Sequence, residues 1–157
     1  KVEDIITYAS SKYRQSIGSL KSNGGEIRLK TVLFDNFSTG VNYTKTNAKE
    51  NDGDNIKLIP KDKLILFANF NPIAKLNIST SYHLQNKAQD PKYNELPVYR
   101  SLNVNTNYSL KGNSKVYLKI ENLFNRENIL NRGGSTTENL GYKSPNRSFY
   151  LGFRLLN

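Results

Sequence analysis

The chain has 157 residues, 36% of them hydrophobic, with 23 Lys and Arg against 13 Asp and Glu, a formal net charge of +10 and a mean hydropathy of −0.64. Cysteine is absent and histidine occurs once, at His83, which excludes a disulfide framework and a thiolate metal site and leaves no basis for a histidine metal cluster. Nothing approaches the roughly 18 consecutive apolar residues of a membrane-spanning helix, but a β-barrel needs only alternate residues to be apolar and can cross lipid while scoring as hydrophilic.

Segments of strand character recur in chain order. Residues 1–8 (KVEDIITY) read as a strand, and a polar stretch, 10–22, leads to the next at 26–33. The turn Asp35-Asn36 opens a strand at 37–46, which a polar loop, 47–55, joins to 63–70. Asn71-Pro72 makes a tight turn into 75–84, and a long loop at 86–97 follows. The run 99–110 closes through Lys111-Gly112-Asn113 onto 115–123, and one last long loop, 125–146, precedes a terminal strand at 148–156. Asx, Gly and Pro stand where tight hairpins need them.

That makes about eight strands, with short turns and long loops in strict alternation, as in a membrane barrel with short periplasmic turns on one rim and long extracellular loops on the other. By parity Asp35-Asn36, Asn71-Pro72, Gly112 and the C-terminus belong to the periplasmic rim. The last two strands carry the clearest period of two. Val116, Leu118 and Ile120 alternate with Lys115, Tyr117, Lys119 and Glu121, and Phe149, Leu151, Phe153 and Leu155 alternate with Ser148, Tyr150, Gly152 and Arg154. Adjacent residues of a strand meet opposite surroundings, so the first set of each is assigned to lipid and the second to a watery interior. The same period sends Leu64, Leu66, Ala68, Phe70, Leu76, Ile78, Tyr82, Leu102, Val104, Tyr108 and Leu110 to lipid. It sends Asn77, Ser79, Ser81, Asn103, Asn105 and Asn107 inward. Tyr8, Tyr43, Phe70, Tyr82 and Tyr108 lie near strand ends, where an interfacial aromatic girdle would sit. On this facing Leu151→Arg is costly and Gly152→Ser mild.

The positive charge is scattered and forms no run, and no nucleic-acid-binding spacing occurs, so nucleic acid is not an expected partner. Lys and Asn are abundant in strands and loops alike, which reads first as a compositional bias; the alternative is that basic loops and a basic lumen attract lipopolysaccharide or an anionic ligand. No catalytic constellation is present: His83 lacks a Ser or Asp pattern that would make it a base. Asp52-Gly53-Asp54 has part of a calcium-loop spacing without the downstream Glu, and Gly133-Gly134-Ser135 lacks the Lys of a phosphate cradle. No cofactor is expected.

The segment 116–128 (VYLKIENLFNREN), followed by Gly141-Tyr142, Pro145-Asn146-Arg147 and the run 149–153 (FYLGF), resembles the C-terminal end of TonB-dependent outer-membrane receptors. The matching motif residues are Asn122, Leu123 and Phe124, then Pro145, Arg147 and Gly152. Gly25-Glu26-Ile27 and Asn42-Tyr43-Thr44 are similar to strand motifs of that family. The closing strand departs from the family pattern at Asn157, where an aromatic is usual. The resemblance implies an all-β fold, an antiparallel transmembrane β-barrel segment of about eight strands forming the C-terminal third of a barrel of about 22 strands. It covers 1–157 as one barrel part, without the N-terminal plug.

It further implies uptake of a ferric siderophore, cobalamin or similar chelate across the outer membrane of a Gram-negative bacterium. The implied partners are outer-membrane lipid and lipopolysaccharide, the barrel assembly machinery, and in a full-length parent a plug, TonB and the cargo. Tyr93, Tyr99, Arg100, Arg126 and Arg132, in or beside the long loops, are candidates to touch cargo, since aromatic and Arg groups suit an anionic chelate. The chain opens at Lys1 already in strand character and is expected to be a piece of a longer one. The alternative is a self-contained eight-stranded outer-membrane barrel with a structural or adhesive role, and a third reading is a soluble β-sandwich.

Overall fold

The computed structural model describes residues 2–9, 11–50, 53–90, 95–111, 114–132 and 141–155, and the side chains of 2–9, 13–18 and 54 lie outside that description. The described residues hold eleven strands and no helix: β1 (Val2–Ala9), β2 (Lys12–Phe34), β3 (Phe37–Glu50), β4 (Asp54–Asn55), β5 (Asp62–Ile73), β6 (Leu76–Asn86), β7 (Tyr99–Ser109), β8 (Lys115–Glu121), β9 (Ile129–Asn131), β10 (Tyr142–Lys143) and β11 (Ser148–Arg154). The main sheet runs β1-β2-β3-β5-β6-β7-β8-β11, every neighbour antiparallel, with β4 appended to β3. Sequential strands pair throughout, the up-and-down order that short hairpins produce. Among the described residues β1 and β11 do not pair, so the sheet is open at both edges.

Register turns the sequence alternation into two continuous faces. Phe149, Leu151 and Phe153 stand opposite Ile120, Leu118 and Val116. The same row continues through Val104 and Tyr108 on β7, and Ile78 and Tyr82 on β6. It passes to Leu66 and Phe70 on β5, Val41 and Phe37 on β3, and Leu29 on β2. This apolar face is unpacked: Leu151 is 78% exposed and Phe149 63%. Among the described residues the buried apolar side chains are Ala48, Leu96 and Ile129, so the sheet has no central core. A soluble sandwich would cover such a face; a surface this large and apolar needs lipid or another partner. Its lower edge carries aromatics, with Phe37 and Phe70 in an edge-to-face pair 6.2 Å apart and Tyr108 and Phe153 further along. Tyr43 stands at the upper edge, while Tyr82, expected near a strand end, lies one step inside the belt, opposite Leu66 and Leu102.

The opposite face is a ladder of amides and hydroxyls. Asn77 Nδ2 donates to Asn71 Oδ1 at 2.9 Å, and Ser79 Oγ donates toward Asn69 Oδ1 (2.8 Å) and Asn77 Oδ1 (3.0 Å). Asn103, Asn105 and Asn107 stand beside Ser81, Ser79 and Asn77 across the β6–β7 pair. Lys119 pairs with Glu121 at 2.5 Å, its ammonium 5.5 Å from the Tyr150 ring.

Four expectations change. Of the expected connection 10–22, Ser10 lies outside the described residues and 12–22 are strand: Ala9 pairs with Lys12, with Ser11 at φ 61°, and β2 continues unbroken for 23 residues. Its upper part pairs with β1 and its lower part with β3, so a tight hairpin tip replaces the first long loop and the strict alternation of loop lengths fails there. The upper part escaped notice because its apolar residues, Tyr13, Ile17 and Leu20, do not keep a period of two. The turn at Asn71-Pro72 moves to Ala74-Lys75, since Ile73 pairs with Leu76. Pro72 falls at the register shift between Phe70 and Ile73, where a missing amide donor is tolerated. β8 ends at Glu121 rather than residue 123, because Asn122 takes φ 51° and cannot continue a strand. The last loop contains the small β9–β10 pair.

Gly152 is the fourth. It lies on the polar face opposite Tyr117, and a Cβ there would overlap the Tyr117 ring. Gly152→Ser therefore requires the exposed Tyr117 ring to move aside. Gly40 is filled in the same way by Phe67 from the opposite strand. Gly112 and Asn157 lie outside the described residues, as do Asn51, Asp52, the segment 133–135 and the side chain of Tyr8.

Candidate functional site

Asp90, Ser101, Asn122, Asn128 and Arg132, the described buried polar residues other than Ser114 at the β7–β8 turn, collect at one end of the sheet, where the β6–β7 and β8–β11 connections meet. Asn122 and Asn125 both adopt positive φ, at 51° and 52°, a conformation Asn tolerates better than most residues. The resulting turn lets the Asn122 side chain brace the loop from inside. Its Oδ1 accepts from Arg126 N at 2.9 Å, and its Nδ2 donates to Arg126 O at 2.8 Å and Pro145 O at 3.2 Å. Its backbone N–H donates to Asn103 Oδ1 at 3.0 Å, and the Leu123 N–H donates to Leu102 O at 2.8 Å. Asn125 Oδ1 accepts from Arg147 N at 2.9 Å, while the Arg147 guanidinium donates to Leu123 O at 3.3 Å and lies 5.8 Å from the Phe149 ring.

Asn128, only 2% exposed, does for β7 what a strand would. Its Oδ1 accepts from Arg100 N (2.9 Å), its Nδ2 donates to Arg100 O (3.0 Å), and its own carbonyl accepts from Ser144 N (2.8 Å). The motif residues Asn122, Leu123, Pro145 and Arg147 thus act as a fastener between the last loop and the sheet, with Phe124 exposed beside them. Asn128 had no role in the sequence reading; its signal is an Asn seven residues past the end of β8, which spacing alone does not distinguish. Gly141 has φ 144°, and a Cβ would meet Asn131 O and Arg132 Cα, so only glycine fits where β10 begins.

Between the two connections lies an open cleft of about 790 Å³, with Glu95, Leu96, Pro97 and Val98 on one wall and Glu127, Ile129 and Arg132 on the other. Leu96 is held by its N–H to Ala88 O at 2.7 Å, and Glu127 is ion-paired with Lys143. Arg132 is 9% exposed, and its Nε has no hydrogen-bond partner among the described residues. The expected cargo contacts do not form one cluster. Arg132 lines the cleft, and Tyr99 lines a separate cavity of about 150 Å³ with Ser101, Asn103 and Glu121. Arg100 is tied through its backbone to Asn128, and Arg126 gives its backbone to Asn122 while remaining exposed. Tyr93 lies outside the described residues. Glu95 and Glu127 went unremarked in the sequence, because the loops that carry them have no periodicity.

His83 sits half-buried on the polar face with Nε2 3.0 Å from Ser81 Oγ and Ile65 and Ser101 as cross-strand neighbours, so no carboxylate stands opposite it. Among the described residues no group of three His, Cys, Asp or Glu could hold a metal ion.

No protein-family model and no curated protein matches the chain. Solved structures do. The chain is similar to the copper transporter OprC (TM-score 0.75, 16% identity, 95% of this chain and 26% of that one). It is similar to the ferric-catecholate import receptor Fiu from E. coli K12 (0.66, 15%, 95% and 23%) and to the siderophore receptor PiuA from Acinetobacter baumannii (0.68, 16%, 92% and 23%). It spans about a quarter of the length of these three chains. With its single antiparallel path, apolar outer face and polar inner face, the chain has the fold of a stretch of barrel wall of the TonB-dependent receptors.

Proposed function

We propose that this chain is the C-terminal part of the barrel wall of an outer-membrane receptor that imports a metal chelate, a ferric siderophore, cobalamin or a similar compound, using energy supplied through TonB. The observation that carries the reading is the continuity of the exposed apolar face across β2 to β11, set back to back with the amide ladder. A wall of this kind separates lipid from a hydrated lumen, and its two unpaired edges are completed by further strands. The similarity to a copper transporter and to siderophore receptors supports metal-chelate cargo. The cleft with Arg132 at the loop end supports cargo contact from the extracellular side, with Tyr93, Tyr99, Arg100 and Arg126 as further contacts. In this reading Phe149, Leu151, Phe153 and Leu155 face outer-membrane lipid, and the barrel assembly machinery inserts the strands.

The test uses the full protein that carries this chain, expressed in a Gram-negative host deleted for its own receptors. Uptake of labelled ferric siderophores, cyanocobalamin and copper is measured with and without an uncoupler and with and without TonB. Accumulation of one of them that collapses on uncoupling and on loss of TonB supports the reading. Uptake that survives both, or none of any chelate from a correctly inserted barrel, contradicts it.

A further inference from the structure

The two walls of the loop-end cleft carry unused polar groups of opposite kind. On one wall Arg132 is 9% exposed and its Nε has no hydrogen-bond partner among the described residues, whereas Glu127 beside it is already ion-paired with Lys143. A charge taken out of water is stable only where an opposite charge and hydrogen bonds replace its hydration, so this guanidinium calls for an anion. The facing wall offers the reverse. Glu95 is exposed and enters none of the ion pairs among the described residues. Gln89 pairs with Glu95 across the base of the β6–β7 connection, which puts the two side chains on the same side of that bridge, and Gln89 Oε1 is buried without a hydrogen-bond partner among the described residues. A carboxylate and an amide oxygen only accept, so this wall calls for a donor, best a cationic one.

Between these two ends the cleft is apolar, lined by Leu96, Pro97, Val98 and Ile129. Both walls are tied down: the Leu96 N–H donates to Ala88 O at 2.7 Å, and Asn128 clips the other connection to the backbone of Arg100 at 2.9 and 3.0 Å. The donor and acceptor ends therefore keep a set separation, and the cleft, at about 790 Å³, falls within the roughly 300–1,000 Å³ of small-molecule sites. An anionic chelate would satisfy Arg132 and be repelled by Glu95. A zwitterion satisfies both.

We propose that this cleft recognises a zwitterionic group with an apolar middle, its carboxylate on the Arg132 guanidinium and its ammonium at Glu95 and Gln89: the chemistry of a short apolar peptide with free ends, displayed by the chelate that the receptor imports. The proposal rests on the reading of the cleft as a cargo-contact site and narrows the cargo. The probes are leucine di-, tri- and tetrapeptides, which span about 7 to 14 Å end to end, each with free ends, N-acetylated and C-amidated. Binding to the purified full protein in detergent is measured by calorimetry, and folding is read from heat-modifiable migration.

For the length that fits, the free peptide is expected to bind about tenfold or more tighter than either blocked form. Arg132→Gln should weaken the free peptide about tenfold and leave the C-amidated form unchanged, and Glu95→Gln should weaken the free peptide about tenfold and leave the N-acetylated form unchanged. Glu127→Gln should bind like wild type. Should a variant not migrate as folded protein, the comparison of free and blocked peptides on wild type decides by itself. An N-acetylated peptide that binds as tightly as the free one, folded Arg132→Gln that binds like wild type, or no binding of any peptide overturns the zwitterion site and leaves TonB-dependent uptake to its own assay. Selective binding of the free peptide together with chelate uptake that survives loss of TonB keeps the site and overturns the transport reading.

Discussion

Leu151 offers the sharpest single-residue test of facing. It lies at the middle of the outer row on β11, flanked by Phe149 and Phe153 and opposite Leu118, and is 78% exposed. On the proposed facing, Leu151→Arg places a guanidinium in hydrocarbon, and for a lipid-facing barrel position near the midplane the cost is about 2–4 kcal/mol. At about 1.4 kcal/mol per tenfold, that lowers the folding equilibrium by tens to hundreds of fold. The matched control is Asn105→Arg. Asn105 stands opposite Lys119, which stands opposite Tyr150, so it sits within one residue of the same height on the inner face, where Glu121 lies nearby. An added Arg there remains in water, and the change is expected to stay within about 0.5 kcal/mol. Urea titrations of both variants of the full protein in lipid vesicles measure the difference. Equal destabilisation, or a larger loss at Asn105, would refute the assignment of faces.

Other substitutions test local features. Gly152→Ala forces the Tyr117 ring aside and should cost about 1–3 kcal/mol; if the overlap is the cause, Tyr117→Ala in the same chain recovers part of that loss in a double-mutant cycle. Asn128→Ala strands the buried Arg100 N–H and C=O and should cost about 1–3 kcal/mol, visible as faster amide exchange at Arg100 and faster proteolysis within the last loop. At Asn122, Gly retains the positive φ but loses the bracing bonds, so Asn122→Gly should destabilise the loop, and Asn122→Ala should do so by about a further 1 kcal/mol; equal effects of the two would show that the backbone conformation contributes nothing.

The sequence alternation marks the part of each strand that lies between two solvents and falls silent elsewhere. β5 to β8 and β11 were legible because Leu64 to Phe70, Leu76 to Tyr82 and Phe149 to Phe153 change surroundings at every step. The upper half of β2 was not, since its few apolar residues, Tyr13, Ile17 and Leu20, break the period of two among polar neighbours. Ala74-Lys75 gave no turn signal, whereas Asn71-Pro72 gave a strong one that the structure spends on a bulge. The motif at Asn122-Leu123-Phe124 was recognisable as a string, but its role as a fastener resides in two positive φ angles and in bonds to residues 19 and 23 positions away. The contact between Gly152 and Tyr117 was not legible because a period of two gives the solvent a residue faces and not the aromatic that leans across from the next strand.

The most direct measurement is a spin-label scan of β11 in the full protein in vesicles, aided by the absence of cysteine from this chain. Labels at 149, 151 and 153 should be relaxed by dissolved oxygen, and labels at 150 and 154 by a water-soluble nickel chelate, in strict alternation. Uniform exposure of all five positions to the chelate would contradict a wall that separates lipid from water.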